Sequence, residues 1–221
     1  MPMETDGTLG QKVHAHLSKL GIETPMHRNM EGPTKGIIET HVFNILFALG
    51  LDLQDDSLAD TPKRVAKMYC EEVFSGLDYD NFPRCMAVEN KMGYDEIVLV
   101  RNNVLRSMCE HHLVPIYGRI HLAYLPNGRV IGLSKLSRVA SFFAARPQVQ
   151  ERLTEQIYAA LSLILQTEDV AVIIEAEHFC MKLRGVEDAC SDTVTSKVGG
   201  RFRNNPDARR ELMALINGAR G

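Results

Sequence analysis

The sequence is poor in several features that would point to a secreted or membrane protein. It has five cysteines in 221 residues, and this odd and sparse set argues against a disulfide framework. No apolar run approaches the roughly 20 residues that a membrane-spanning helix needs. The first ten residues hold no apolar segment of the kind found in secretory signals. These absences predict a cytoplasmic protein with reduced thiols and no membrane partner.

A strong excess of charge is also missing. The formal net charge is -3, so a surface that binds nucleic acid or anionic lipid over its whole extent is excluded. The sequence has no internal repeat, and because it has neither a Walker A motif nor G-x-G-x-x-G, it predicts no P-loop and no Rossmann site. Hydrophobic residues make up 45% of the chain and charged residues 24%, which is the composition of a globular protein with a full core.

The order of helical and extended patterns predicts an α+β fold. Residues 1–95 are mainly helical, and one helix is expected to begin after a cap at Asp60. Residues 96–221 hold the extended segments, with two central helices between them, one over Ser134–Ala144 and one starting at Pro147. We therefore expect a helical N-terminal region followed by a catalytic domain built on an antiparallel sheet. The open edges of such a sheet need covering, which assembly into a ring or barrel would provide.

The strongest chemical signal is a set of cysteines and histidines. A Cys-Glu-His-His motif begins at Cys109, and a His-Phe-Cys motif ends at Cys180. If Cys109, His112 and Cys180 share one ion, thiolate and imidazole ligands favour zinc, and the open fourth position is typical of a catalytic site. His111 and His178 would then lie beside the metal, available for acid–base chemistry. Spacing alone leaves the alternative open that these are ordinary core and surface side chains.

A second set of residues is basic and suits an anion. Ser134 can cap the first central helix, whose free N–H groups form an anion site. Lys135 and Arg138 are three residues apart and share a helix face, and Arg184 follows the Cys180 motif. Together these side chains can hold several phosphates. The alternative is an ordinary solvated helix face.

Gln150 and Glu151 occupy the first turns of the second central helix. A carboxylate accepts two parallel N–H bonds from a guanine edge, and a neighbouring amide can add a further contact. The alternative for Glu151 is a simple complement to the helix dipole.

Taken together, these segments resemble GTP cyclohydrolase I, the family of the first enzyme of folate and pterin biosynthesis. The resemblance runs from about residue 55 to the C-terminal helix and is carried by Asp60–Tyr69, Phe74–Leu77, Cys109–His112, Val130–Arg138, Arg146–Thr154 and His178–Cys180. It implies a tunnelling-fold (T-fold) domain whose sheets join into a barrel in a homodecamer of two pentamers.

The resemblance also implies an activity, the hydrolysis and ring rearrangement of GTP to 7,8-dihydroneopterin triphosphate and formate. Zn²⁺ would be held by Cys109, His112 and Cys180 and would activate the water that attacks C8 of the guanine. The other roles implied at matching positions are proton transfer by His111 and His178, a ribose contact by Ser134, guanine binding by Glu151 with Gln150, and triphosphate binding by Lys135, Arg138, Arg184 and, from a neighbouring subunit, Arg64.

Two alternatives stay open beside this interpretation. One is a related pterin- or purine-binding enzyme on the same fold. The other is a non-catalytic module that binds a nucleotide and holds a structural zinc, which requires a fourth protein ligand. A nucleobase deaminase is disfavoured because its H-x-E and P-C-x-x-C signature is missing. Residues 186–192 are the least typical of the family, and Glu187 and Asp192 add negative charge beyond Arg184.

Overall fold

The computed structural model describes residues 4–27, 33–188 and 190–218. These residues form eight α-helices: Gly7–Leu20 (α1), Lys35–Ala48 (α2), Thr61–Met68 (α3), Leu133–Ala144 (α4), Gln150–Leu165 (α5), Phe179–Lys182 (α6), Gly200–Asn204 (α7) and Pro206–Asn217 (α8). They also form seven strands: Ala87–Glu89 (β1), Val98–Cys109 (β2), Pro115–Tyr124 (β3), Arg129–Ile131 (β4), Pro147–Gln148 (β5), Val170–His178 (β6) and Thr193–Val198 (β7). A π-helical turn at Tyr69–Val73 continues α3.

Five of the strands form one sheet in the order β5-β2-β3-β6-β7. Neighbouring strands run antiparallel, except that the short β5 is parallel to β2. β1 and β4 pair separately as a two-stranded antiparallel ribbon. The predicted α+β class is confirmed, and the sheet departs from a purely antiparallel arrangement only at β5.

Different helices cover the two faces of the sheet. On one face, α4 and α5 bury side chains such as Phe143 and Leu153 against the central strands. On the other face, α7 and α8 bury Phe202, Leu212 and Ile216 in a smaller cluster. Full burial of a large apolar side chain contributes about 1.5–3 kcal/mol, so these two layers hold the sheet in place.

The N-terminal helices differ sharply in how they pack. α1 places Val13 and Leu17 in the same core cluster as the sheet and α5. α2 buries none of its residues, and Ile45 and Phe47 are exposed. The division of the chain near residue 95 stays a prediction. Within the described ranges, no helix combines the length and apolarity that a bilayer crossing requires.

One predicted helix start and one predicted helix cap are wrong. The second central helix begins at Gln150 rather than Pro147, because the backbone of Gln148 pairs with Cys109 and keeps this segment extended. The first central helix has Gly132 as its N-cap, so the expected Ser134 cap is not formed. Ser134 lies instead in the first turn of α4 and is exposed.

A fully buried guanidinium joins the N-terminal segment to the sheet domain. Arg146 donates hydrogen bonds to Thr24 Oγ1 at 3.3 Å, to the Tyr79 hydroxyl at 3.2 Å and to the Gly76 carbonyl. Its charge lies 4.8 to 5.1 Å from the centres of three aromatic rings, Tyr79 among them. Burial lowers the pKa of this group, and its hydrogen-bond partners are all uncharged. The aromatic rings and oxygen dipoles take the place of a carboxylate.

We predict that Gly118→Ala destabilises the protein. A methyl group at this position on β3 would lie 2.0 Å from the Glu175 carbonyl oxygen and 2.6 Å from Ala176 Cα, so the β3–β6 pairing would have to open. Overpacking of this kind costs about 1–3 kcal/mol or more. Denaturant unfolding measures the loss. Gly36→Ala in α2 is the control, because, apart from the backbone of its own helix and its chain neighbours, no atom of the described residues lies within 4 Å of the added methyl. Equal midpoints for the two variants would contradict the register of β3 with β6.

Candidate metal centre and substrate site

The strand register gathers the candidate residues at one end of the sheet. β3 pairs Pro115 with Met108 of β2 on one side and Ile116 with His178 of β6 on the other. The last residue of β2, Cys109, and the end of β6 therefore flank the beginning of β3. α6, which carries Cys180, follows β6 without a break. The two motifs are far apart in the sequence, but they meet because only one strand, β3, lies between β2 and β6.

The three predicted ligands converge at this end of the sheet. Cys109, His112 and Cys180 offer one ligand atom each, and these atoms lie within 4.8 Å of one another. The distance from Cys109 Sγ to His112 Nδ1 is 3.8 Å. Two thiols and an imidazole are a donor set that suits zinc, and three protein ligands are the number in catalytic zinc sites.

A tight turn over residues 109–114, here called the metal turn, folds the first motif back on itself. The Cys109 N–H donates to the Val114 carbonyl and the Leu113 N–H donates to the Cys109 carbonyl, both at 2.8 Å. Leu113 has a φ of 51°, a left-handed conformation that is rare for this residue type. This geometry brings the His112 ring back towards the buried thiol of Cys109.

The environment of the two thiols favours a bound cation. Burial raises the pKa of the Cys180 thiol, and its hydrogen bond with Cys109 raises that pKa further. Two adjacent thiolates repel each other, and a divalent cation between them removes the repulsion. The chemistry of the cluster therefore fits a zinc ion.

His178 is held by a buried amide. Its Nε2 lies 2.8 Å from Gln150 Oε1, while the Gln150 amide nitrogen donates to the carbonyls of Thr193 and Ile174 at 2.9 and 3.3 Å. Because the amide nitrogen is committed, Oε1 is the acceptor and Nε2 of His178 carries the proton. Gln150 is 1% exposed. The sequence predicts Gln150 as a guanine-binding residue, and it gives no sign of the contact with His178.

The other candidate groups near the cluster are more exposed. The side chain of His111 is 64% exposed, and its Nδ1 lies 3.9 Å from Cys109 Sγ. Burial lowers the pKa of His178, and the nearby carboxylate of Glu151 opposes that shift. His111 thus contacts a thiol of the cluster, and His178, two residues before Cys180, lies near Glu151.

Among the predicted phosphate-binding residues, only Arg184 contacts the cluster within the described ranges. Its Nη1 donates to His112 Nε2 at 2.7 Å, which leaves Nδ1 of His112 facing Cys109. No hydrogen bond or ion pair in the described part of the chain joins the cluster to Lys135 or Arg138 on α4. Arg138 lines a separate cavity of about 640 Å³. Arg64 is exposed on α3 and lies 3.6 Å from Asp60.

An ion pair between two residues without a predicted role connects the metal turn to α5. Arg152 of α5 forms an ion pair with Glu110, the residue that follows Cys109. Both lie inside segments that carry the family resemblance, and this position is the one sequence feature that marks them as candidates. Sequence spacing gives no sign that they meet, because 42 residues separate them.

An α+β fold with a thiolate–imidazole cluster next to two histidines has the features of a metal-dependent enzyme. A family model described as GTP cyclohydrolase I matches residues 38–217. The chain is 55% identical over 204 residues to GTP cyclohydrolase 1 of Shewanella denitrificans, covering 91% of this chain and 94% of the relative. It is 53% identical over 204 residues to that of Shewanella oneidensis, with coverages of 91% and 94%. For the protein of Shewanella amazonensis, identity is 54% over 205 residues, with coverages of 92% and 95%. The chain therefore belongs to the GTP cyclohydrolase I family.

We predict that Cys180→Ala abolishes stoichiometric zinc binding, because it leaves only two of the three converging ligands. Zinc per chain, measured by elemental analysis of purified protein, reports the loss. Cys190→Ala is the matched control, since Cys190 is an exposed free cysteine outside the cluster. Full zinc content in the Cys180→Ala protein would show that the ion binds elsewhere.

Proposed function

We propose that this chain catalyses the zinc-dependent conversion of GTP to 7,8-dihydroneopterin triphosphate and formate, the first step of tetrahydrofolate and pterin biosynthesis. The observation that carries the proposal is the convergence of Cys109, His112 and Cys180 beside His111 and His178. This arrangement occurs in a chain whose matched relatives are named GTP cyclohydrolase 1.

The metal cluster and the two histidines would share the chemical work. Cys109, His112 and Cys180 would hold Zn²⁺, and zinc when bound supplies a Lewis acid that activates water for attack on C8 of the guanine. His178 keeps its Nε2–H on Gln150, so its Nδ1 is the nitrogen that takes up a proton. His111 is exposed beside Glu110, and it would exchange protons with the opened purine and the ribose of a bound substrate.

The substrate would bind through groups of four segments, namely α5, the residues after α6, α4 and the α3 of a neighbouring subunit. Glu151, exposed in the first turn of α5, would accept the N1–H and exocyclic amine of guanine, with Gln150 beneath it. Arg184 would reach the triphosphate from the cluster side, together with Lys135 and Arg138 of α4, whose first turn also offers Ser134 to the ribose. Arg64 would approach from a neighbouring subunit, because within its own chain it is exposed and pairs with Asp60 rather than with the cluster.

We also propose a homodecamer of two pentamers in which sheets of several subunits join into a barrel, located in the cytoplasm and without nucleic-acid or membrane partners. Unpaired sheet edges support the barrel. β7 has a neighbour on one side only, and β5 covers just the end of β2. The exposed apolar residues of α2 supply a further surface that assembly would cover.

The two alternatives predict different products. A related pterin or purine enzyme would leave GTP unchanged or convert it to another product. A structural zinc module would have a fourth protein ligand, whereas the described cluster has three side chains.

We expect the full-length, zinc-loaded chain to release formate from GTP and to give a fluorescent pterin after oxidation. His111→Ala should retain zinc and lose turnover by about 10²–10⁴-fold, the usual contribution of a proton-transfer group. Cys180→Ala should lose both zinc and turnover. Absence of formate and pterin with the metal-replete chain would refute the proposed function, and equal zinc loss in both variants would refute the division of roles.

We expect Arg184→Met to raise the KM for GTP. Hydrogen bonds to charged groups contribute about 1.5–3 kcal/mol, which corresponds to roughly 10–100-fold in binding. Steady-state kinetics at constant ionic strength measures the change. Arg210→Met is the control, because Arg210 is exposed on α8 and forms its ion pair with Asp207, away from the cluster. If both variants have the same KM, Arg184 does not bind the triphosphate.

A further inference from the structure

We propose that Arg152 and Glu110 are positioning residues for the metal turn, and that the affinity of the site for zinc depends on their ion pair. The inference rests on the proposed function and concerns a different question, namely what holds the ligands of the first motif in a binding conformation. Neither residue belongs to the metal cluster itself.

The first step of the argument is the ion pair. Arg152 Nη2 contacts Glu110 Oε2, and the two side chains are 15% and 27% exposed. The same guanidinium donates to Gln148 Oε1 at 3.2 Å and to the Pro147 carbonyl at 3.4 Å. Arg152 is therefore fixed by three acceptors, and it holds the Glu110 carboxylate against the start of α5.

The second step is the buried amides behind Arg152. Gln148 is fully buried, and its nitrogen donates to the Phe143 carbonyl and to Gln156 Oε1, both at 2.8 Å. Its own oxygen must therefore face Arg152. Gln156 in turn donates to the Ile22 carbonyl at 2.8 Å. A continuous set of hydrogen bonds runs from the segment after α1 to the metal turn, with each amide oriented by its partners.

The third step is the main chain. The Glu110 N–H donates to the Gln148 carbonyl at 3.0 Å, and Cys109 pairs with Gln148 in the parallel β2–β5 contact. Both the backbone and the side chain of Glu110 are thus attached to residues 147–152. Since Glu110 lies between the ligands Cys109 and His112, this double attachment limits the conformations of the turn that carries them.

These contacts have a thermodynamic consequence for the metal. If the turn already has the binding conformation, the free-energy cost of ordering it when the ion binds is smaller. Residues that orient metal ligands without touching the ion usually change affinity or activity by about 10–100-fold when replaced. Removing one partner also leaves the other charge partly buried and unpaired, which favours rearrangement of the turn.

The same helix offers a matched control. Lys197 of β7 forms an ion pair with Glu155 of α5 at 2.8 Å, and these side chains are 31% and 40% exposed. This pair also joins α5 to a strand, but it lies away from the metal turn. Its loss tests whether any ion pair on α5 affects the site.

The experiment uses the full-length chain, stripped of metal by a chelator and then titrated. Competition with a chromophoric chelator gives the Zn²⁺ affinity, and the Co²⁺ absorption spectrum reports the ligand geometry. We expect Arg152→Met and Glu110→Gln each to weaken Zn²⁺ binding by about 10–100-fold and to alter the Co²⁺ spectrum. The double variant should lose no more than the worse single variant, because the two residues act as one pair. Lys197→Met should bind as the wild type does.

Wild-type Zn²⁺ affinity and Co²⁺ spectrum in folded Arg152→Met and Glu110→Gln would overturn the inference. If circular dichroism shows that Arg152→Met does not fold, Arg152→Lys and the isosteric Glu110→Gln decide it by the same titration. Saturating Zn²⁺ should restore kcat with KM for GTP unchanged. A kcat that stays low would show that the pair acts on turnover itself, through His111, whose Nε2 lies 3.8 Å from Glu110 Oε1, and would overturn the positioning role. Failure of the wild type to convert GTP would refute the proposed function and leave the metal titrations to decide this inference.

Discussion

The pairing of β3 with two strands at once is the constraint on which the candidate site depends. Hydrogen bonding to β2 and to β6 fixes where each of these strands ends, and both end beside the first residues of β3. Gly118 allows the close approach of β3 to β6, because any side chain there would meet the backbone of Glu175 and Ala176. Two thiols that are 71 positions apart in the sequence, Cys109 and Cys180, thereby become neighbours. The convergence of the three side chains therefore depends first on the register of the sheet and only then on the local motifs.

The beginning of α5 complements this register from the side of the helix layer. Consecutive residues there face different partners, so one short segment serves several parts of the site. Gln148 and Arg152 hold the metal turn, Gln150 holds His178, and Glu151 extends outward from the helix. β5 is extended, so α5 begins at Gln150 and not at Pro147. This conformation lets Gln148 contact the metal turn while Gln150 contacts His178. The helix layer therefore orients the side chains that the sheet brings together.

The sequence was sufficient for the α+β class and for naming the three side chains, Cys109, His112 and Cys180, that converge. The helical period predicts α4 to within one residue, although Ser134 does not cap it, and the Cys and His motifs contain the three side chains that converge. Other features depend on contacts between distant residues, which single-sequence patterns do not encode. Pro147 is typical of a first helical turn, but its strand pairing with Met108 prevails. Gln150 has the residue type of a ligand-binding group, and only its burial beneath His178 reveals a supporting contact. Glu110 and Arg152 meet through tertiary packing alone.

The guanidinium of Arg146 has a consequence for how the protein responds to acid. Ion pairs with carboxylates weaken once the carboxylate is protonated, and such losses account for most acid unfolding. Arg146 instead relies on a hydroxyl, a phenol, a carbonyl and aromatic rings, none of which takes up a proton in mild acid. The contact between the segment after α1 and the sheet domain is therefore resistant to acid. As the pH falls, ion pairs with surface carboxylates would break before the hydrogen bonds of Arg146 do.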